Sequence, residues 1–144
     1  MQLNQATDYA FRSVLHLAAL PEGSVVSTRS LASQEVIPLR FLLKIMPSLV
    51  RAGLVKSYRG AEGGVGLART PAEISLWDII VAMEGPVAIH RCLAEREACS
   101  KNCSEECPVH AALGKLQAEL IKGLKSATMA SLLAPKQAGT AQAF

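Results

Sequence analysis

The chain has no hydrophobic run of 18 residues; its longest apolar stretch is Ile79-Ile80-Val81-Ala82-Met83, the length of a core segment rather than a membrane span. The first 20 residues have neither a basic start nor a continuous apolar block, so no secretory leader is expected there. There is no nucleotide-binding glycine loop and no Ser-His-Asp arrangement, and the polar residues do not suggest a substrate pocket. An enzyme acting on a small-molecule substrate is therefore not expected. Charged residues make up only 19% of the 144, against 50% hydrophobic, which excludes global disorder and leaves enough apolar material for one real core.

The charge that is present is unevenly placed. Residues 1–72 carry eight Lys/Arg against four Asp/Glu, whereas residues 73–144 carry seven against eight. Between Arg40 and Arg69 stand six basic residues (Arg40, Lys44, Arg51, Lys56, Arg59, Arg69) and a single acid, Glu62. The asymmetry points the N-terminal half toward a polyanion, although charge alone fits a solvated basic face equally well.

Helical spacing of Ala6, Ala10, Val14, Leu17 and Ala18 predicts a first helix over 4–20, capped by Asn4 and ended by Pro21-Glu22-Gly23. Ser27 caps a short second helix over 28–34. Pro38 opens a third helix that runs to Gly53, with a kink or local unwinding expected at Pro47. Residues 54–58 and 65–69 read as strands around the glycine-rich tip Arg59-Gly60-Ala61-Glu62-Gly63-Gly64. A further helix follows over 75–84, with Trp77 and Tyr58 expected as packing residues and His16 as a core-edge histidine.

Beyond the hairpin, Val109, Leu113, Leu116, Leu120 and Leu124 form one apolar stripe on a helix over 108–125. Such a stripe packs on a second copy or on its own domain; the second copy is the preferred reading. The fold class is mainly α: a winged helix-turn-helix with a two-stranded wing plus a long C-terminal dimerisation helix. The expected organisation is a DNA-binding domain over 1–85, a cysteine-rich cluster-binding loop over 86–107, a dimerisation helix over 108–133 and a disordered tail over 134–144.

All four cysteines, Cys92, Cys99, Cys103 and Cys107, fall within 16 residues, and His110 follows. Without a leader they are expected in a reducing cytoplasm, where ligands or redox thiols are favoured over disulfides. Several sulfurs on one loop suit an iron–sulfur cluster. Structural zinc is the alternative, but the paired Cys-x2-Cys ligands it usually shows are missing; a metal-free thiol switch is a third.

For DNA, the exposed side of residues 38–46 would enter the major groove. Arg40 and Lys44, four apart, share a helix face there, with Pro38 and Leu39 at its start and Ser27 and Thr28 at the head of the preceding helix. Lys56 and Ser57 are placed on phosphates, and Arg59 with Gly60 in or beside a minor groove.

The start Met1-Gln-Leu-Asn-Gln-Ala-Thr-Asp-Tyr-Ala-Phe-Arg12, the stretch Leu49-Val-Arg-Ala-Gly-Leu-Val-Lys-Ser-Tyr-Arg-Gly-Ala-Glu-Gly-Gly64, and Ile74-Ser-Leu-Trp-Asp-Ile-Ile80 resemble the Rrf-two family of bacterial regulators. The resemblance spans about residues 1–133. It implies a homodimeric winged-helix transcription factor on a partly palindromic operator, often controlled by a [2Fe–2S] or [4Fe–4S] cluster. The cysteines place the chain with the cluster-bearing branch. That branch uses three cysteines and a variable fourth ligand: Cys92 and Cys107 match the loop ends and Cys99 the middle, while Cys103 is an extra thiol or a true fourth ligand. A histidine after the last cysteine, as in IscR-type members, is matched by His110. An acid near the start of the first helix of the partner subunit, as in NsrR-type members, is matched by Asp8. His110 implies [2Fe–2S], Asp8 or a further cysteine [4Fe–4S].

Overall fold

The computed structural model describes residues 2–101 and 105–135. Three helices open the chain: α1 (Gln5–Ala19), α2 (Thr28–Gln34) and α3 (Leu39–Arg51). An antiparallel hairpin follows, β1 (Val55–Tyr58) with β2 (Gly64–Leu67), in the register Val55 to Leu67 and Tyr58 to Gly64. Then come α4 (Leu76–Glu84), α5 (Arg91–Ala94), α6 (Pro108–Ser126) and α7 (Met129–Leu133), with single 3-10 turns at Pro71–Glu73 and Arg96–Ala98.

The starts of α1, α2 and α4 are set by side-chain caps, the first two at the expected residues. The Asn4 side chain accepts the Thr7 amide, Ser27 that of Ser30 and Ser75 that of Asp78, each satisfying a donor that the first turn leaves open. The core lies where α1, α2, α3 and α4 meet the hairpin, around fully buried Val14, Leu31, Leu42, Leu49, Ile74 and Ile79. Each large aliphatic side chain buried there contributes roughly 1.5–3 kcal/mol. Arg69, just beyond β2, ties the hairpin to α3: its Nε donates to the Gly53 carbonyl at 3.1 Å and Nη2 to that of Ala52 at 2.9 Å. A cation placed on open carbonyls at a helix C-terminus is doubly favourable.

Four details differ from the sequence expectation. Pro38 sits at the N-cap of α3 rather than at its first helical residue. The helix runs unbroken through Pro47, because Ile45, Met46 and Leu49 are buried on the core side, while Leu43 and Pro47 lie on the exposed side where water can take the freed carbonyl. The loop over 86–107 contains α5 and a 3-10 turn. The segment 108–133 is two helices: at Ala127 and Thr128 the chain turns back, the Leu76 amide donates to the Ala127 carbonyl and the Met129 amide to that of Ile74, and the Met129 side chain is buried in the winged-helix core. Of the expected tail, residues 136–144 lie outside the described residues.

The turn joining α2 to α3 contains Val36 at φ 54°, 82% exposed. A β-branched residue in the left-handed region is strained, and nothing packs on this one to offset it. Val36→Gly is expected to raise stability by about 1 kcal/mol, read as a higher thermal midpoint.

The end of α4 is pinned to the start of α1. The Glu84 carboxylate accepts the Asn4 amide at 3.0 Å and the Thr7 hydroxyl, and these bonds, the amide first, hold its pKa below the ordinary 4.5. A carboxyl lowered by folding stabilises the native state above its unfolded pKa, and that contribution fades as pH falls through the folded value. Glu84→Gln is expected to lower stability slightly at pH 7 and to leave the two proteins equal at strongly acid pH, in melts recorded across the acid range.

Candidate nucleic-acid interface and cysteine centre

Helices α2 and α3 join through Glu35-Val36-Ile37-Pro38, with the Ile37 amide returning to the Ala32 carbonyl at 2.9 Å. Arg40 and Lys44 stand exposed one turn apart on α3, and the Arg40 guanidinium lies 4.9 Å from the Phe41 ring centre. Lys44 has no ion pair among the described residues. Leu39 turns out to be a packing residue, half-buried against the core, and Pro38 is exposed beside it. Ser27 spends its hydroxyl on the cap of α2, and Thr28 is half-buried.

Lys56, Ser57, Arg59 and Gly60 are all exposed along β1 and the hairpin tip. Gly60 has φ 104°, a backbone angle that favours glycine, and the Gly63 amide closes the turn on its carbonyl at 3.0 Å. The hairpin is fastened to the head of α2 by a two-bond bridge between Val26 and Val65, at 2.9 and 2.8 Å. The bridge therefore brings Ser27 and Thr28 alongside the hairpin, a juxtaposition invisible in the sequence. It also brings Arg29, exposed in the first turn of α2. Sequence reasoning passed over Arg29, although it directly follows the Ser27 cap.

In the second centre, His90 caps α5, its Nδ1 accepting the Cys92 amide at 3.3 Å. The Cys92 thiol lies 3.2 Å from that same nitrogen and 3.4 Å from Nδ1 of His110, in the first turn of α6. The segment is held against α6 by the Ile89 amide donating to the Gln117 side chain at 2.9 Å, and by Leu93 resting beside Gly114. Cys107 occupies the N-cap of α6, half-buried, as is Cys99. Cys103 lies outside the described residues.

This donor set fits a soft metal centre in its chemistry, thiols with imidazole. Two ligands on one tetrahedral metal stand roughly 3.5 Å apart, given bonds of about 2.3 Å to sulfur and 2.0 Å to nitrogen, and Cys92 and His110 already have that spacing. Among the described residues no group of three or more His, Cys, Asp or Glu is gathered for a metal ion. His90 was missed at first; its i, i+2 spacing from Cys92 was the available signal. Asp8 is exposed and pairs with Arg12 of its own helix at 2.7 Å, and Arg12 donates in turn to the Glu35 carbonyl at 3.0 Å. His16 meets the Glu35 carboxylate at 2.6 Å, as a core-edge residue would.

A short helix, a second helix presenting basic residues, and a two-stranded wing locked to the first define a winged-helix protein. The solved structures agree. CymR (YrzC), the global cysteine regulator of B. subtilis, is 25% identical with a TM-score of 0.77, over 95% of this chain and 99% of that one. T. potens IscR is 26% identical with a TM-score of 0.69, over 95% and 93%. Rv1287 and MT1325 of Mycobacterium tuberculosis, both named as HTH-type transcriptional regulators, are each 41% identical over 88 residues. That match takes in 61% of this chain and spans about half, 55%, of those relatives. Residues 3–135 match the family described as Rrf2, iron-dependent transcriptional regulator. The chain belongs to the Rrf2 family of transcriptional regulators. No helix among the described residues is long and apolar enough to cross a membrane.

Proposed function

We propose that this protein is a cytoplasmic, homodimeric, DNA-binding regulator whose operator affinity depends on an iron–sulfur cluster held by the cysteine segment. The observation that carries the DNA reading is the exposed pair Arg40 and Lys44 on α3, flanked by a wing whose Arg59 is free of the core. Phosphates attract both surfaces, α3 reaches base edges, and Arg59 suits a narrow minor groove. The dimer reading is supported by α6, a 19-residue helix with no buried residue in the single chain. Its stripe is split: Leu113, Leu120 and Leu124 are half-buried in the single chain, while Val109 (64%) and Leu116 (56%) are left exposed for a second copy. Two-fold symmetry would set two α3 helices on the half-sites of a partly palindromic operator.

For the cluster, Cys92, Cys99 and Cys107 are the proposed thiolate ligands, with His110, already beside Cys92, as the fourth. Asp8 from a partner subunit and Cys103 are the alternatives. The group would supply a labile, redox-active centre. The chain's part is mechanical: drawing Cys99 and Cys107 toward Cys92 orders residues 88–108 between α4 and α6, and so sets the angle between the dimer helix and the reading heads.

Duplex binding is expected to weaken steeply with salt, and Arg59→Ala to cost roughly tenfold in operator affinity through the 1–3 kcal/mol typical of a specific arginine contact. Fluorescence anisotropy on operator and scrambled duplexes reads both. Salt-independent binding, or no duplex binding at all, would leave an adaptor with a winged-helix fold instead. Equal operator affinity of anaerobic holo- and apo-protein would defeat the switch while leaving DNA binding intact.

A further inference from the structure

A cavity of about 250 Å³ opens beside α3, away from the cysteine segment, where the first turns of α1, the middle of α3 and the last turn of α4 converge. Its walls are Ala6 and Tyr9 of α1, Phe41 and Ile45 of α3, and Met83 of α4. The Tyr9 and Phe41 rings lean together at 6.0 Å between centres, and Phe41 is 39% exposed. Three polar groups stand among them, Gln5, Lys44 and Ser48. Lys44 is the only charged residue in the lining, and no acid there opposes it. The carboxylates adjacent in sequence to the lining residues Tyr9 and Met83 are occupied: Asp8 by Arg12, and Glu84 by the Asn4 amide and Thr7 hydroxyl that close the α1–α4 corner.

An apolar chamber with one unpaired cation and two neutral hydrogen-bonding groups has a defined complement. We infer that this cavity is a regulatory site for a small carboxylate with an apolar body, of which an aromatic monocarboxylate is the best match. The ring would lie among Tyr9, Phe41 and Met83, where offset or edge-on contact with two aromatic faces is favourable. The carboxylate would meet Lys44, with Ser48 and Gln5 as neutral donors. The volume is below the roughly 300–1,000 Å³ of drug-sized sites, which selects a single ring or a short chain.

Position gives the site its consequence. Lys44 lies on the helix proposed to read DNA, so a carboxylate seated on it removes a positive charge from that surface and holds Phe41 inward. Ligand and duplex are thereby antagonists, and by reciprocity each weakens the other. That consequence rests on the DNA reading of α3. Binding to the cavity itself is measured without DNA, so the two can fail separately.

The test is calorimetric titration of the full chain with benzoate, alongside benzamide as a neutral isostere. Benzoate is expected to bind saturably with a dissociation constant on the order of 1 mM, as a small ligand of few atoms allows. Benzamide should bind more weakly by about tenfold, the loss of one charge-assisted contact. Lys44→Gln should erase the preference for benzoate. Ala6→Leu, which fills the chamber from α1, should abolish binding of both compounds with operator affinity unchanged; should that variant melt early, Ser48→Leu fills it from the opposite wall. Saturating benzoate should lower operator affinity several-fold in the wild type and leave the filled variant unaffected. Absence of saturable binding overturns the inference, and so does benzoate binding that survives both filling substitutions. A cavity closed by the second copy in the dimer gives the first of those results.

Discussion

Gly64→Ala is expected to release the wing and cost on the order of 3 kcal/mol or more, with duplex binding lost in proportion. Gly64 does not need glycine for its backbone angle; it needs the absence of a side chain. A Cβ there would overlap the Val26 carbonyl oxygen and stand 2.5 Å from its carbon and 2.9 Å from the Ser27 nitrogen, well inside van der Waals contact. Those are backbone atoms, and they cannot yield: Val26 and Val65 exchange two hydrogen bonds immediately beside the contact, and Ser27 is the cap of α2. The strand must therefore peel away, and with it go the bridge, the cap and the placement of Arg59. Gly123→Ala in α6 is the matched control, because nothing lies within 4 Å of its added carbon. There the substitution should stabilise by roughly 0.5–1 kcal/mol, the ordinary helix preference for alanine. Paired thermal melts and duplex titrations read both changes; a Gly64 variant melting with the wild type would show that the wing is not clamped as described.

Cys92→Ala is expected to leave a folded, colourless, iron-free protein from an anaerobic preparation in which the wild type is brown. Cys92 is half-buried in a one-turn helix outside the main core, so its thiol carries little of the folding free energy, and circular dichroism and melting should barely change. It is nonetheless a sulfur that two imidazole nitrogens approach, so its loss removes a point on which donors converge. Iron and sulfide analysis should fall to background, and operator affinity should cease to depend on reconstitution. His110→Ala should retain some iron but shift the visible spectrum, since a different group then completes the coordination. A colourless wild type carrying stoichiometric zinc would replace the cluster with a structural metal, and a colourless, metal-free wild type would leave a thiol switch.

Much of this was legible in the residues. Asn4 and Ser27 announced two helix starts because capping is a local hydrogen bond whose donor and acceptor lie three residues apart. The hairpin was legible for a related reason: two short strands separated by glycines close on themselves. Arg40, Lys44 and Arg59 were placed correctly on exposed surfaces because charge seldom buries. What escaped were relations across long separations. Leu39 looked like a surface residue at the head of a reading helix and is partly core. Residues 108–133 looked like one helix and are two, because Met129 finds its place beneath Ile74, 55 positions earlier in the chain.

By itself, then, the order of amino acids determined the helices, the wing, the concentration of basic residues on one half and of thiols on one segment, since each follows from interactions a few residues long or from composition. Only the tertiary structure decided which of those groups meet: the bridge from Val26 to Val65 that locks the wing to the second helix, the approach of His90 and His110 to one sulfur, and the apolar chamber under Lys44. The reason is packing. Contacts between distant segments are set by how buried side chains share one core, and no local rule in the chain encodes that sharing.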